Sequence, residues 1–192
     1  GGVWKTTNGG ANWTVLTDNN DVLGVSTIAL HPNYTTNQTL FIGTGDRDGG
    51  SIWTLGGGQS NDNNGIGILK STDDGNTWST TGLSFTTSQK VTINEILIDP
   101  NNASVMIAAT SNGIYKSSDD GVSWILKTNN LKFVDMAFKP GSFSTIYAST
   151  SSWSDSKIYK STDKGDNWSE VHSVTGRRIQ LAVSSNNASI VY

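Results

Sequence analysis

One nine-residue pattern occurs four times in this chain of 192 residues, and it restricts the possible fold more than any other feature. The copies read KTTNGGANW at 5–13, KSTDDGNTW at 70–78, KSSDDGVSW at 116–124 and KSTDKGDNW at 160–168. We call them the first to fourth box turns. Their tryptophans follow one another at steps of 65, 46 and 44 residues. A repeat of roughly 40–50 residues carried by short apolar runs is typical of a β-propeller array.

Each repeat contains four short runs of β-forming residues, which we label strands A to D in chain order. Strand A ends at a Pro, Asn, Ser or Gly turn, strand B is a short apolar run, strand C leads into the box turn, and strand D begins at its tryptophan. The copies of strand A are 26–33, 94–101, 134–141 and 179–186, and those of strand B are 40–44, 105–110, 146–150 and 190–192.

The fold class predicted from these runs is an all-β propeller of four-stranded antiparallel blades, with about four blades' worth of sequence. We expect one domain over 1–192, with blade parts 1–20, 21–82, 83–130, 131–176 and 177–192. Joining the two ends would complete four blades, the lower limit for propellers. The final NNASIVY, however, matches NNASVMI at 101–107 and stops within strand B, so we expect part of a larger propeller.

A hairpin between strands C and D accounts for the residues of the box turns without a catalytic or metal-binding role. Glycine supplies a positive φ, and an Asp or Asn side chain accepts backbone N–H bonds across the turn. Asn8 replaces the acid in the first copy. A catalytic role would not survive the loss of the carboxylate, so this replacement favours a structural role. The tryptophans are predicted to fill the gaps between neighbouring sheets. These structural residues are Asn8, Gly10, Trp13, Asp73, Gly75, Trp78, Asp119, Gly121, Trp124, Asp163, Gly165 and Trp168.

The pattern S-x-D-x-G-x-T-W resembles the Asp-box, or BNR repeat, of sialidase-like and xyloglucanase-like β-propellers and of the sortilin luminal domain. The segments IDPNN (98–102) and IGTGD (42–46) extend the resemblance over nearly the whole chain. It implies box turns that lie far from any active centre. The sequence also resembles large exported propeller proteins of Bacteroidetes that carry a type IX secretion sorting domain, which implies a bacterial secreted or cell-surface protein.

The antiparallel meander places the box turns and the A–B turns on one face, and the B–C and D–A loops on the other. We look for function on the second face. The first tryptophan step is about 20 residues longer than the others, and the extra residues fall in the B–C loop 45–65.

That loop holds the catalytic candidates Asp46, Asp48 and Asp62. Asp46 follows IGT, near where xyloglucanase-like enzymes place a catalytic aspartate after strand B. A glycosidase also needs a second carboxylate, at roughly 6.5–9.5 Å for inversion or 5–5.5 Å for retention. The same three aspartates are also calcium candidates, because hard oxygen donors at alternate positions suit calcium. A flexible Asx-rich loop is the alternative, and no other cofactor or metal is expected.

Trp53 and Trp153 both fall in B–C loops and are the candidate ligand-binding residues, because exposed indoles can stack on sugar rings. Each could instead pack only its own loop. Sialidase chemistry uses three arginines that grip one carboxylate. This chain offers only Arg47, Arg177 and Arg178, and the last two are adjacent, so on a strand they point to opposite faces.

Composition narrows the remaining classes. The 13 basic residues are scattered through a chain of net charge −3, which gives no footprint for nucleic acid. Absence of cysteine excludes thiol catalysis and cysteine-ligated zinc, and no apolar run is long enough for a membrane helix. Two functions remain open: a glycan-binding or glycoside-hydrolase-like propeller, and a non-enzymatic adhesion scaffold. The expected partners are a polysaccharide or a cell-surface protein, together with further blades or domains.

Overall fold

The computed structural model describes residues 2–21, 24–46, 65–128, 130–152, 154–176 and 178–192. The strands within these ranges are β1 (Trp4–Lys5), β2 (Thr14–Val15), β3 (Val25–Leu30), β4 (Leu40–Thr44), β5 (Gly67–Ser71), β6 (Ser79–Ser84), β7 (Ile93–Ile98), β8 (Met106–Thr110), β9 (Gly113–Ser117), β10 (Ile125–Leu126), β11 (Phe133–Lys139), β12 (Ser142–Thr150), β13 (Asp155–Ser161) and β14 (Ser169–Thr175). A short helix α1 spans Tyr34–Asn37, and a 3-10 turn spans Thr87–Gln89.

Strands β3 to β14 form three four-stranded antiparallel sheets in chain order. We call them blade I (β3–β6), blade II (β7–β10) and blade III (β11–β14). Among the described residues, strands β1 and β2 pair only with each other and form what we call the N-terminal hairpin, which contains the first box turn. Each blade reads as strands A, B, C and D, with its box turn between C and D. The predicted all-β propeller fold is therefore confirmed.

Residues 178–192 differ from the expected pair of full strands. Val183 and Val191 form an isolated bridge, and Ala182 and Tyr192 exchange backbone hydrogen bonds of 2.8 and 3.0 Å. Within the described residues, this segment does not pair with the strands of the N-terminal hairpin. Two strands without a third alongside are only marginally stable, which explains why the pairing is short.

The core lies between the sheets. Phe41, Ile93 and Met106 are fully buried between blades I and II, and Ile107 and Ile146 are fully buried between blades II and III. A third cluster of Val3, Ile42 and Leu69 joins the hairpin to blade I. Successive side chains of a strand point to opposite faces, so one strand B serves two interfaces.

Three box tryptophans lie in these interfaces, and the fourth does not. Trp78, Trp124 and Trp168 are partly buried against the three clusters. Trp13 is 56% exposed, which corrects the prediction that every box tryptophan fills a gap between sheets. The physical reason is that the described residues place no sheet on that side of the hairpin.

The helical segments are too short and polar to cross a bilayer: among the described residues, no helix meets the length and hydrophobicity required.

The different environments of the tryptophans predict different costs of truncation. We expect Trp124→Ala and Trp168→Ala to lower the free energy of unfolding by about 3–5 kcal/mol each, because each removes a large side chain from an interface. Trp13→Ala is the matched control, and we expect about 0.5 kcal/mol or less. Urea unfolding at pH 7 measures all three. Equal losses for Trp13→Ala and Trp124→Ala would contradict this assignment.

Candidate functional site

The structure places the box turns and the A–B turns on one face, as predicted. The amides of Asp74, Asp120 and Lys164, the fifth residues of three box turns, donate to carbonyls in or next to A–B turns at 3.0–3.1 Å. Their acceptors are Gln38 and Ser104, in the A–B turns of blades I and II, and Ser144, near the start of strand B in blade III. The B–C and D–A loops therefore share the opposite face, which we call the loop face.

The carboxylates of the box turns accept hydrogen bonds from residues of their own turns. Asp73 accepts a hydrogen bond of 2.8 Å from the Ser71 hydroxyl. It also accepts 2.8 Å from the amide and 2.6 Å from the hydroxyl of Thr77. The Ser71 hydroxyl in turn accepts the Gly75 amide at 2.8 Å. The third and fourth box turns repeat the network through Ser117, Asp119, Gly121 and Ser123, and through Ser161, Asp163, Gly165 and Asn167.

These bonds keep the box acids ionised. The Thr77 hydroxyl lowers the pKa of Asp73, and the Ser123 hydroxyl lowers that of Asp119. The Asn167 amide does the same at Asp163, where the pKa falls to about 2. A carboxylate whose pKa is about 2 is a poor proton donor or base near neutral pH. In the first box turn, the Asn8 side-chain oxygen accepts the corresponding amide, that of Asn12, at 2.9 Å.

The lowered pKa of Asp163 predicts acid-sensitive stability. Because the folded pKa of about 2 lies below the usual 3.8, the contribution is fully present above pH ~4. It is lost as pH falls through 3.8 towards 2. We expect Asp163→Asn to reduce the drop in urea midpoint between pH 4 and pH 2 without abolishing it, because Asp73 and Asp119 titrate in the same sense.

The natural Asn8–Asn12 pair makes Asp163→Asn a conservative test, since Asn167 stands where Asn12 stands in the first box turn. Asp155→Asn removes the same charge at an exposed position outside any box turn and is the matched control. An unchanged pH dependence in Asp163→Asn would show that the turn hydrogen bonds do not stabilise the ionised form.

Ion pairs link the second, third and fourth box turns to the preceding sheet, and sequence reasoning missed them. Lys70 reaches Asp120 at 2.5 Å and Lys116 reaches Asp166 at 2.6 Å. Lys5 pairs with Asp74 in the same way. The signal was present, because a lysine opens every box turn and these acids stand at its fifth or seventh position.

On the loop face, a threonine closes strand B in each of blades I, II and III. Thr44, Thr110 and Thr150 are buried at the strand ends. The Thr44 hydroxyl donates to the Gly67 carbonyl at 2.6 Å, and the Thr110 hydroxyl donates to the Gly113 carbonyl at 2.7 Å. The Thr150 hydroxyl accepts the amide of Lys157 at 2.8 Å. These bonds fix both ends of the B–C loop whatever its length, and the repeated IGT, AAT and AST triplets were their unrecognised signal.

The hydrogen bonds of these threonines predict that loss of the hydroxyl group lowers the stability of the fold. We expect Thr110→Val to destabilise by about 1–3 kcal/mol, because the buried Gly113 carbonyl loses its donor. Thr110→Ser keeps the hydroxyl and should lose less. Chemical unfolding of both variants measures the two losses, and a larger loss for Thr110→Ser than for Thr110→Val would mean that methyl packing matters more than the hydroxyl at this position.

Asp46 follows one of these clasped ends, and a tightly held backbone leads into it. Gly45 has φ +100°. Its amide donates to Gly24 at 2.9 Å, and its carbonyl accepts the Ser26 hydroxyl at 2.9 Å. A Cβ at Gly45 would lie 2.8 Å from Cγ2 of Thr92 in blade II, so only glycine fits. The partly buried Asp46 is therefore anchored at the junction of blades I and II.

The other loop candidates, Asp48, Asp62, Trp53 and Trp153, lie outside the described residues, and their roles stay predictions. If the second carboxylate of a catalytic pair comes from this loop, its position opposite Asp46 also stays a prediction. Among the residues that the structure describes, no three metal-ligating side chains are grouped. Calcium binding by Asp46 with Asp48 and Asp62 was a hypothesis about two undescribed residues, and it remains one.

Two adjoining grooves open beside the first and second box turns, between the N-terminal hairpin and blade I. Their volumes are about 210 and 170 Å³. Polar side chains dominate the larger groove, including Lys5, Asn12, Asp74 and Asn76. Neither groove contains Asp46, so the clefts and the candidate acid do not coincide among the described residues.

Comparison with known proteins identifies similar glycoside hydrolases. No protein-family profile matches the chain. A xyloglucanase from Paenibacillus sp is 27% identical over 206 residues, covering 89% of this chain and 19% of that protein. The Niastella koreensis GH74 enzyme is 26% identical with a TM-score of 0.68, covering 97% of this chain and 29% of that one. An ancestral GH74 enzyme is 20% identical with a TM-score of 0.65, covering 100% and 23% respectively. The GH74 xyloglucanase from Xanthomonas campestris is 18% identical with a TM-score of 0.61, covering 89% and 27%.

The chain thus spans less than a third of each of these proteins. The structural matches agree with the blade architecture described above. The relatives at 26 and 27% identity make the chain similar to propeller glycoside hydrolases in sequence as well as in fold.

Proposed function

We propose that this chain is part of a polysaccharide-hydrolysing β-propeller of the glycoside-hydrolase type, acting on a β-glucan of the xyloglucan class. The observation that carries the proposal is the clasped end of β4, which anchors Asp46 on the loop face at a junction between blades. The similar xyloglucanase supports the substrate class.

The distribution of carboxylates supports the choice of face. Asp73, Asp119 and Asp163 are saturated by their own turns, so the box face offers no reactive acid among them. Asp46 stands on the opposite face, next to the longest B–C loop. Binding and catalytic residues concentrate on loops that a rigid scaffold holds in position.

The proposed chemistry needs two carboxyl groups on either side of a glycosidic bond. One protonates the leaving oxygen and the other acts as base or nucleophile, with an oxocarbenium-like transition state. Asp46 would supply one of them. Asp48, Asp62 or an acid elsewhere in the protein would supply the other, and Trp53 and Trp153 would stack on the sugar chain.

The box turns are, in this proposal, Asp-box (BNR) repeats of a bacterial secreted or cell-surface protein. The hydrogen-bond network repeated in three copies supports the first part. The low charge and the resemblance to exported Bacteroidetes propellers support the second.

Asp46→Asn in the full-length protein tests the proposal. We expect hydrolysis of xyloglucan oligosaccharides to fall about 10²–10⁴-fold in kcat, the range for loss of a general acid or base, with the melting temperature unchanged. Asp163→Asn removes the same charge from the box face and should keep its activity when assayed well below its melting temperature. Full activity in Asp46→Asn would remove Asp46 from the catalytic pair.

The scaffold alternative has one observation in its favour. Val122, in the third box turn, and Ile125, in the outer strand of blade II, are 74% and 63% exposed. Exposed apolar side chains can mark a protein contact where they form a patch. Absence of turnover by the wild-type protein, together with partner binding that Val122→Ser and Ile125→Ser abolish, would establish the scaffold instead.

A further inference from the structure

The strongest unassigned feature is Lys90, an exposed lysine on the loop face that the backbone holds in a left-handed conformation. Lys90 has φ 56° and ψ 37°, and it ends the 3-10 turn Thr87–Gln89 in the D–A loop of blade I. A Cβ makes this conformation costly, and residues that adopt it occur preferentially at active sites and ligand contacts. The strain at Lys90 is therefore an indication of function.

The loop that carries Lys90 is fixed at both ends. At its start, the Phe85 amide donates to the Ile66 carbonyl at 3.0 Å. At its end, the Thr92 amide donates to the hydroxyl of Ser111 in blade II at 3.0 Å. These bonds give the backbone of Lys90 a defined place at the junction of blades I and II.

The two residues after Lys90 contact both ends of the long B–C loop. The Val91 carbonyl accepts the amide of Gly65, the last residue of that loop, at 3.0 Å. Cγ2 of Thr92 lies 2.8 Å from the place of a Cβ on Gly45, which directly precedes the candidate acid. Lys90 therefore stands on the rim of the same junction as that acid.

Blade II shows that this turn does not require a lysine. Asn130 has φ 50° and stands three residues before Phe133, the first residue of β11. Lys90 likewise stands three residues before Ile93, the first residue of β7. Asparagine is among the few residues that adopt the left-handed region readily. Turn geometry therefore explains Asn130 but does not explain the lysine in blade I.

On the box face, left-handed residues with charged side chains make specific contacts. Lys164, with φ 60°, donates at 2.9 Å to Asp99, whose side chain is only 1% exposed. Asp74 and Asp120 stand at the same position of their box turns, have φ of 64° and 60°, and pair with lysines of the preceding sheets. In this molecule, a charged residue in this conformation is thus one whose side chain has a particular partner.

The chemistry of the lysine side chain limits what Lys90 can bind. An ammonium group donates up to three hydrogen bonds and accepts none. A bound ligand must therefore supply acceptors, and the hydroxyl and ring oxygens of a neutral glycan do so. Because Lys90 lies at the same junction as Asp46, the sugar that it contacts is close to the bond on which Asp46 would act.

We propose that Lys90 is a substrate-binding residue that donates hydrogen bonds to hydroxyl oxygens of the glucan chain beside Asp46. The contact is made equally in the bound substrate and in the transition state, so it lowers KM and leaves kcat unchanged. The inference rests on the proposed hydrolysis of a β-glucan and adds to it a residue that selects the substrate.

Lys90→Asn in the full-length protein tests the proposal, because it installs the residue that blade II has at this position. With a neutral xyloglucan oligosaccharide, we expect KM to rise about tenfold or more and kcat to stay within about twofold. We also expect the melting temperature to rise by about 2 °C, because asparagine relieves the backbone strain. A lysine that served only the fold would give a lower melting temperature and an unchanged KM.

Two matched variants separate the side chain from the strain. We expect Lys90→Arg to keep KM within about threefold of the wild type without a gain in melting temperature, because arginine retains the charge and the donors. Asn130→Lys places a lysine at the equivalent turn of blade II. It should lower the melting temperature and leave KM unchanged.

The wild-type protein distinguishes failure of this inference from failure of the proposed hydrolysis. If the wild type is active and KM is unchanged in Lys90→Asn, the role of Lys90 is overturned and the hydrolysis stands. If the wild type shows no turnover, calorimetric titration with the same oligosaccharide decides. Binding that Lys90→Asn weakens about tenfold would support the role of Lys90 without the hydrolysis. Absence of binding would overturn both.

Discussion

The contact between one sheet and the box turn of the next is the interaction on which the rest of this structure depends. A four-stranded sheet whose strands have five or six residues cannot bury both of its faces alone. In β4, Phe41 is buried toward blade II and its neighbour Ile42 toward the hairpin, so the strand is stable only between two other sheets. Glycines allow the close approach: the Gly82 amide donates to the Gly121 carbonyl at 2.9 Å, and a Cβ at Gly82 would lie 2.1 Å from the Val122 carbonyl oxygen.

This arrangement divides the molecule into a constrained face and a variable one. On the box face, acids, lysines and tryptophans hold neighbouring sheets in register, and substitutions there act on stability. On the loop face, threonines such as Thr44 and Thr110 terminate the strands independently of loop length. A long insertion after Thr44 therefore leaves the blade intact, which makes this face suitable for substrate-binding loops and for an acid such as Asp46.

Sequence predicted more of the fold than of the site. Strand order and the placement of the box turns followed from a local pattern, because each hairpin carries its own turn chemistry in consecutive residues. The link between Lys70 and Asp120 was not predicted, because residues 50 positions apart meet only through the packing of two blades. Trp13 was assigned to an interface by analogy with the other copies, yet its exposure depends on whether a sheet lies beside the hairpin. The candidate site combined Asp46, which the structure describes, with a loop that has no counterpart of similar length in the other repeats. The repeat pattern therefore gave no information about the residues of that loop.

The sequence by itself determined the repeat unit, its four strands and the role of the box residues, since periodicity and turn preferences act over a few neighbouring residues. Only the tertiary structure decided which lysine meets which acid and which tryptophans are buried. Those properties depend on the distance and orientation between sheets. The burial of two apolar faces at once sets that geometry, and no single repeat encodes it.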